Sequence, residues 1–207
     1  MNRNAASLLR PGRVRGRPRE FDMDDALDHA IRIFRERGYN ATSIGDLTDA
    51  MGLASGSLYK AFKDKREMFL AAFDRYVSLR NDQLRQVVQT TKSARERLRD
   101  VLVFYIESSR GIEGRRGCLV VGSAVELAIG DREVAVRVSG SLARNEAFLA
   151  ELIRQGHIDK SVPTQVDPDE TARVMVYLTQ GMRVVGKAGR SPPDISSVIE
   201  IAMKLLA

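Results

Sequence analysis

The run Ser55-Gly56-Ser57, followed by Tyr59-Lys60, holds residue types that meet nucleic acids through base edges and phosphates. On a helix turning about 100° per residue, Ala54, Leu58, Ala61 and Phe62 fall on one side and would pack against neighbouring helices. Gly56, Tyr59 and Lys60 point the other way, with Ser55 and Ser57 on the flanks. Gly56 lets a backbone approach a groove, the serines suit base edges or phosphates, and Tyr59 and Lys60 suit phosphate. The same face would serve equally as an ordinary solvated one. A second run, Gly12-Arg13-Val14-Arg15-Gly16-Arg17-Pro18-Arg19, could enter a narrow minor groove or remain a solvated tail. A third candidate is Cys118, which follows Arg115-Arg116-Gly117 where a helix is expected to start. Two neighbouring cations and a helix start favour a reactive thiol, whereas most lone cysteines are small buried hydrophobes.

Charge and composition narrow what these residues could do. The 207 residues carry a net charge of +6. Arg3, Arg10, Arg13, Arg15, Arg17 and Arg19 stand against one acid, Glu20, so most of that excess sits in one arm. This pattern favours a local polyanion contact over an architectural DNA protein, which needs a broad basic surface. No apolar run is long enough to span a bilayer, and arginines interrupt any apolar leader, so the expectation is a cytoplasmic chain without a membrane partner. The single cysteine excludes an intrachain disulfide and a cysteine metal cage. His29 and His157 lie in no zinc-binding spacing or beside an evident nucleophile, and no glycine-rich phosphate loop is present. Asp24-Asp25 and the Asp167/Asp169 pair read as helix-start charges rather than catalytic carboxylates. A small helical enzyme is the rival reading; the expectation is no enzyme, no cofactor and no metal.

The elements that would position these residues are helical almost throughout. Asp22 caps a helix with Ala26, Leu27, Ala30, Ile31 and Phe34 on one face, ended by Gly38. Thr42 or Ser43 caps a short helix stopped by Gly52, and a third runs from about Ala54 to Phe62. Asp64 to Glu67 forms a capping box opening a long helix through Met68, Phe69, Phe73 and Tyr76. Further helices are expected near 94–111, 116–129, 132–155, 168–186 and 193–206, with starts marked by Asp167-Pro168 and Ser191-Pro192-Pro193-Asp194. The fold class is all-α: a three-helix helix-turn-helix head and a larger helical domain. The division is a basic arm over 1–20, a head over 21–68 and the remainder over 69–207.

Phe34, Gly38-Tyr39, Thr42-Ser43-Ile44, Leu47, Gly52, Gly56-Ser57-Leu58-Tyr59, Phe62, Lys65 and Met68-Phe69 together resemble the DNA-binding domain of the TetR family, over about residues 20–70. Ala54 and Ser55 depart from the serine and lysine common there. The resemblance implies a repressor that holds a palindromic double-stranded operator as a homodimer and leaves it when a small-molecule inducer binds, with activation as the family's other outcome. It implies DNA contacts from Arg15, Arg17, Arg19, Thr42, Ser43, Ser55, Gly56, Ser57, Tyr59, Lys60 and Lys65, with Thr42 and Lys65 on phosphates. It further implies a dimer through the last two helices, where Val174, Met175, Leu178, Met182 and Val185 form a stripe and Gly181 and Gly186 permit close approach. Candidate inducer contacts are Phe104, Tyr105, Ser108, Cys118, Val121, Glu126, Met175 and Tyr177, chosen for apolar bulk with isolated polar groups. The Arg116-Gly117-Cys118-Leu119 segment resembles a subgroup with electrophile- and redox-responsive members, which makes Cys118 a candidate thiol sensor.

Overall fold

The computed structural model describes residues 22–89, 92–190 and 194–207, with Ser55 described by its backbone alone. The arm over 1–20, with Arg15, Arg17 and Arg19, the side chain of Ser55 and the Ser191-Pro192-Pro193 start all lie outside the described residues. Ten α-helices and a closing 3₁₀ turn make up the regular structure, with no strand among the described residues. No helix there is long and apolar enough to cross a membrane.

Asp22 caps α1 (Met23–Arg37) through the Asp24 and Asp25 amides, and Gly38 ends it. Ser43, not Thr42, caps α2 (Ile44–Met51), in a reciprocal box with Asp46. Helix α3 (Ser55–Ala61) follows Gly52, and its N-cap Ala54 makes no side-chain cap. Asp64 accepts from the Glu67 amide to open α4 (Lys65–Val88), while Glu67 reaches back to the Lys63 amide instead of closing on Asp64. Ala54 is exposed rather than packed, because it precedes the helix whose wheel it was placed on.

The body holds α5 (Ala94–Glu107), α6 (Gly111–Arg116), α7 (Leu119–Glu126), α8 (Arg132–Ile158), α9 (Pro168–Lys187) and α10 (Ile195–Ala202), ending in the 3₁₀ turn Met203–Leu206. Helix α6 is an element the periodicity missed. Gly111 and Gly117, both with positive φ, cut it from its neighbours, leaving it too short to show an apolar period. Asp194 caps α10 through the Ser196 and Ser197 amides.

Two hydrophobic cores run end to end. Phe34, Leu47, Leu58, Phe69, Phe73 and Tyr76 unite α1–α4 with Leu119, Val120, Val134 and Val138 of α7 and α8. Leu98, Leu102, Ile106, Ile153, Met175, Ile199 and Leu206 tie α5, α8, α9 and α10 together. Helix α4 feeds both, with Tyr76 and Val77 in the first and Leu84 and Val88 in the second. At its start Arg66 donates to Asp131, the N-cap of α8, from Nε at 2.8 Å and from a terminal nitrogen at 3.0 Å.

Helix α9 corrects one expectation. Gly186 is buried within the protomer, where a Cβ would overlap the Ser109 carbonyl, so it is not a close-approach position for a partner. Gly181 is exposed and has open space. Met175 likewise faces the core, leaving the stripe.

Gly186→Ala is expected to lower the urea midpoint by a destabilisation of about 1–3 kcal/mol, whereas Gly181→Ala leaves the core intact. Asp131 is held down at about 2, first by the Arg66 hydrogen bonds. A depressed carboxyl stabilises the fold above its unfolded pKa, and that contribution fades as pH falls through the folded value. Asp131→Asn should therefore flatten the acid-side loss of stability between about pH 4 and about pH 2, read by fluorescence unfolding across that range.

Candidate functional site

Helix α3 owes its position to Leu58, fully buried, and Phe62, which anchor it against α1, α2 and α4. Gly56, Ser57, Tyr59 and Lys60 are left on the solvent side, with Tyr59 53% exposed although it is a large aromatic. A Cβ at Gly56 would meet nothing within 4 Å, so the backbone there is open to a groove-sized partner. Ser43 is exposed at the α2 N-cap, where its amide and hydroxyl donate to the Asp46 carboxylate at 2.8 Å and 2.7 Å.

Thr42 and Lys65, expected on phosphates, both engage the α1–α2 turn. The Thr42 side chain is buried, and its hydroxyl donates to the Gly38 carbonyl at 2.6 Å. The Lys65 ammonium donates to the carbonyls of Tyr39 at 3.0 Å and Thr42 at 2.9 Å, and lies 4.2 Å from the centre of the Tyr39 ring. Both brace the α1–α2 turn by donating to its carbonyls, that of Tyr39 accepting from the Thr42 amide as well.

That turn is also where head meets body. Glu126, at the end of α7, accepts from the amides of Tyr39 at 2.9 Å and Asn40 at 2.6 Å. The approach requires glycine at 38, whose φ is +83° and whose Cβ would stand 2.7 Å from the Glu126 carboxylate. The Lys187 ammonium, at the end of α9, donates to the carbonyls of Arg35 at 2.5 Å and Arg116 at 2.9 Å. Arg35 Nε donates to the Gly117 carbonyl at 2.9 Å, and the same carbonyl accepts from Arg183 of α9 at 2.9 Å. Arg116 pairs with Glu36 and Glu113. Its charge is thus committed to the joint, not to Cys118 as the sequence suggested.

Cys118 is the half-buried N-cap of α7, lying between two cavities. On one side a groove of about 320 Å³ separates the end of α1 from α7 and α9, and Val121 and Glu126 line it too. On the other, a small interior cavity of about 30 Å³ is shared by α4, α5, α7, α8 and α9. Arg80 and Arg183 line that cavity with Tyr76 and Tyr105. Burial pushes the Tyr76 phenol well up and that of Tyr105 up to about 12, and a charge on Cys118 would act in the same direction. Burial pulls the Arg80 guanidinium down, and the neighbouring Arg183 cation adds to that.

The eight candidate inducer contacts therefore separate. Tyr105 and Cys118 line the interior cavity, and Cys118, Val121 and Glu126 line the groove. Phe104 stacks under the Arg80 guanidinium at 4.2 Å. The Ser108 hydroxyl accepts from Arg80 at 2.8 Å, and its carbonyl accepts from Arg183. Met175 is core, and Tyr177 is 65% exposed on the outer face of α9. Sequence reasoning missed Arg80, Arg183 and Lys187. The available signal was a cation on an apolar stripe: Arg183 falls four residues after Thr179 and seven after Val176, both buried, and Arg80 four after Tyr76.

Outward on α9, Tyr177, Leu178, Gly181, Val184 and Val185 with Val198 of α10 line an open apolar groove of about 700 Å³.

Comparison with known proteins agrees with this geometry. The profile of the family described as bacterial regulatory proteins, tetR family, matches residues 26–72. A tetracyclin repressor-like C-terminal domain profile matches residues 94–201. The transcriptional regulator YezE of Bacillus subtilis is 34% identical, covering 92% of this chain and 99% of its own. The transcriptional repressor ComR of Escherichia coli is 27% identical over 92% of this chain and 91% of its own. A cysteine-substituted form of the TetR family regulator CifR, solved on a 26-base-pair operator DNA, superposes with a TM-score of 0.82 at 30% identity, covering 93% of this chain and 100% of that one.

Glu126→Ala is expected to free the Tyr39 and Asn40 amides, at a local cost of about 1–3 kcal/mol. Hydrogen exchange at these two positions should accelerate by roughly tenfold or more, while amides of α9 stay protected.

Proposed function

This chain belongs to the TetR family of bacterial regulatory proteins, helix-turn-helix transcriptional regulators rather than enzymes, and from that premise we propose a homodimeric repressor released from a palindromic operator by a small-molecule effector. The observation that carries the reading is the outward face of α3, where Gly56, Ser57, Tyr59 and Lys60 stand exposed over a buried Leu58 anchor. Each protomer lays α3 in a major groove, reading base edges with Ser57 and the adjacent Ser55 and holding phosphates with Tyr59, Lys60 and the α2 N-terminus at Ser43. Arg15, Arg17 and Arg19 of the arm add minor-groove and phosphate contacts. Thr42 and Lys65 fix the turn that aims α2, and the third ammonium hydrogen of Lys65 is left to meet a phosphate.

The head comprises residues 21–68 after an arm over 1–20, and 69–207 form the sensing and dimerisation domain. Helix α4 crosses that division, so the units share a helix and a core. Two heads are needed because one presents few contacts, and the open apolar face of α9 and α10 supports pairing there. Leu178, Val184 and Val185 are 38%, 53% and 48% exposed, a large apolar area to leave in water on one helix.

The joint supports an effector mechanism. The end of α1 is tied to α7 through Glu126, to α9 through Lys187, and to the Gly117 carbonyl through Arg35. A ligand that displaces α7 or α9 moves these anchors and tilts the head, changing the spacing of the two α3 helices. Only a difference in ligand affinity between the two states is required, on the order of 1–3 kcal/mol. Cys118 stands at the hinge between both cavities, so a thiol-reactive electrophile there would act on the same anchors. The solved relative CifR was itself crystallised with cysteines replaced, which makes the thiol the first position to substitute.

Fluorescence anisotropy on DNA upstream of the protein's own gene tests the reading. Wild type should bind tightly against excess nonspecific competitor, and Tyr59→Ala should lose that binding. Lys60→Ala should reduce the salt slope by about 1 without changing sequence preference. Leu178→Glu with Val185→Glu should yield a monomer by sedimentation that no longer holds the operator. An alkylating maleimide should release wild type but not Cys118→Ser; equal release, or none from either, removes Cys118 from the mechanism. Failure of wild type to outlast nonspecific competitor on any upstream fragment would overturn the operator reading.

A further inference from the structure

The interior cavity is lined with hydrogen-bond donors and cations but with no aspartate or glutamate. Arg183 is 3% exposed, and its guanidinium is met by the carbonyls of Ser108 and Gly117, the ends of α5 and α6. Arg80 faces the same space, held by the Ser108 hydroxyl and by Gln83. Neither arginine has an ion-pair partner among the described residues, whereas Arg35, Arg66, Arg75, Arg116 and Arg137 all do. Helix C-termini offset part of one charge, but two guanidiniums confined together without an anion repel and lose hydration. Tyr76, 5% exposed, lines the same cavity. Asn145 already donates to the Tyr105 hydroxyl, and Gln180 completes the polar wall.

An outer pocket of about 180 Å³ shares Asn81, Leu84 and Asn145 with this cavity. Its wall includes Phe148 and two more arginines, Arg85 and Arg144, again with no acid. The inner space of about 30 Å³ has room for roughly two water-sized atoms, which matches the two oxygens of a carboxylate. The outer pocket suits a flat or apolar body.

We propose that Arg80, Arg183 and Tyr76 form an anion-binding site and that this regulator's effector is a small organic acid, its carboxylate inside and its body against Phe148. The proposal rests on the effector-released reading above for its regulatory consequence, not for binding itself. Arg183 donates to the Gly117 carbonyl that also receives Arg35 of the head. A carboxylate drawing Arg183 inward weakens its hold on that carbonyl and so reaches the end of α1.

The test is calorimetry of full-length protein with sodium benzoate, and with benzamide as its neutral isostere, at fixed ionic strength. Benzoate should bind with a Kd of about 1 mM or tighter, and benzamide at least tenfold more weakly. Arg80→Gln should lose benzoate at least tenfold while keeping its thermal midpoint and its operator. Arg183→Lys, which retains the charge, should keep partial binding. Equal affinity for benzoate and benzamide, no binding of benzoate, or unchanged binding by Arg80→Gln would overturn the site. Operator binding, read separately by anisotropy, distinguishes loss of this site from failure of the regulator reading.

Discussion

One carbonyl, that of Gly117, accepts from Arg35 of the head and from Arg183 of the body at the same distance, 2.9 Å. A backbone oxygen with two lone pairs can satisfy two donors, but their directions then become interdependent. The Gly117 φ of +83° is what turns that oxygen outward from the end of α6, and a Cβ there would press on the Lys187 side chain at 2.6 Å. Lys187 in turn holds the last carbonyls of α1 and α6. The orientation of the DNA-reading head thus depends on helix ends rather than on an apolar seam alone.

Helix ends are suited to that role. Their orphan carbonyls demand donors, and a cation at a C-terminus meets both the hydrogen-bonding need and the negative end of the helix dipole. Arg183 at the ends of α5 and α6, and Lys187 at the ends of α1 and α6, are two instances within one turn of α9. Hydrogen-bonded anchors of this kind change geometry over small displacements, whereas the packed cores on either side resist deformation. The joint is therefore the compliant part of a molecule that is otherwise two stiff cores sharing α4.

The same reasoning separates the two faces of α9. Met175, Val176, Thr179, Arg183 and Gly186 turn inward, and Val174, Tyr177, Leu178, Val184 and Val185 turn outward. A helix apolar on nearly all sides is one placed between two interiors. Here the inner side belongs to the protomer's own core, and the outer side is the surface assigned to a second copy.

The sequence by itself determined the helices other than α6, most of their caps and which face of α3 is exposed. Asp22, Ser43, Asp64, Asp131 and Asp167 begin helices because a short oxygen-bearing side chain satisfies amides two or three residues ahead, an interaction local in the chain. Leu58 inward and Tyr59 outward on α3 follow from helical period alone. The tertiary structure decided everything that joins residues far apart. It turned Lys65 and Thr42 into braces of the α1–α2 turn, took Gly186 and Met175 out of the outer face of α9, and made Glu126 a head anchor. It also gathered Arg80, Tyr76, Cys118 and Arg183, from three helices, around one cavity. None of these pairings could be read from periodicity, because which of two apolar stripes faces which neighbour depends on how helices pack. A cation on such a stripe is visible in the chain, but its partners are carbonyls at the ends of helices that only the fold brings to it.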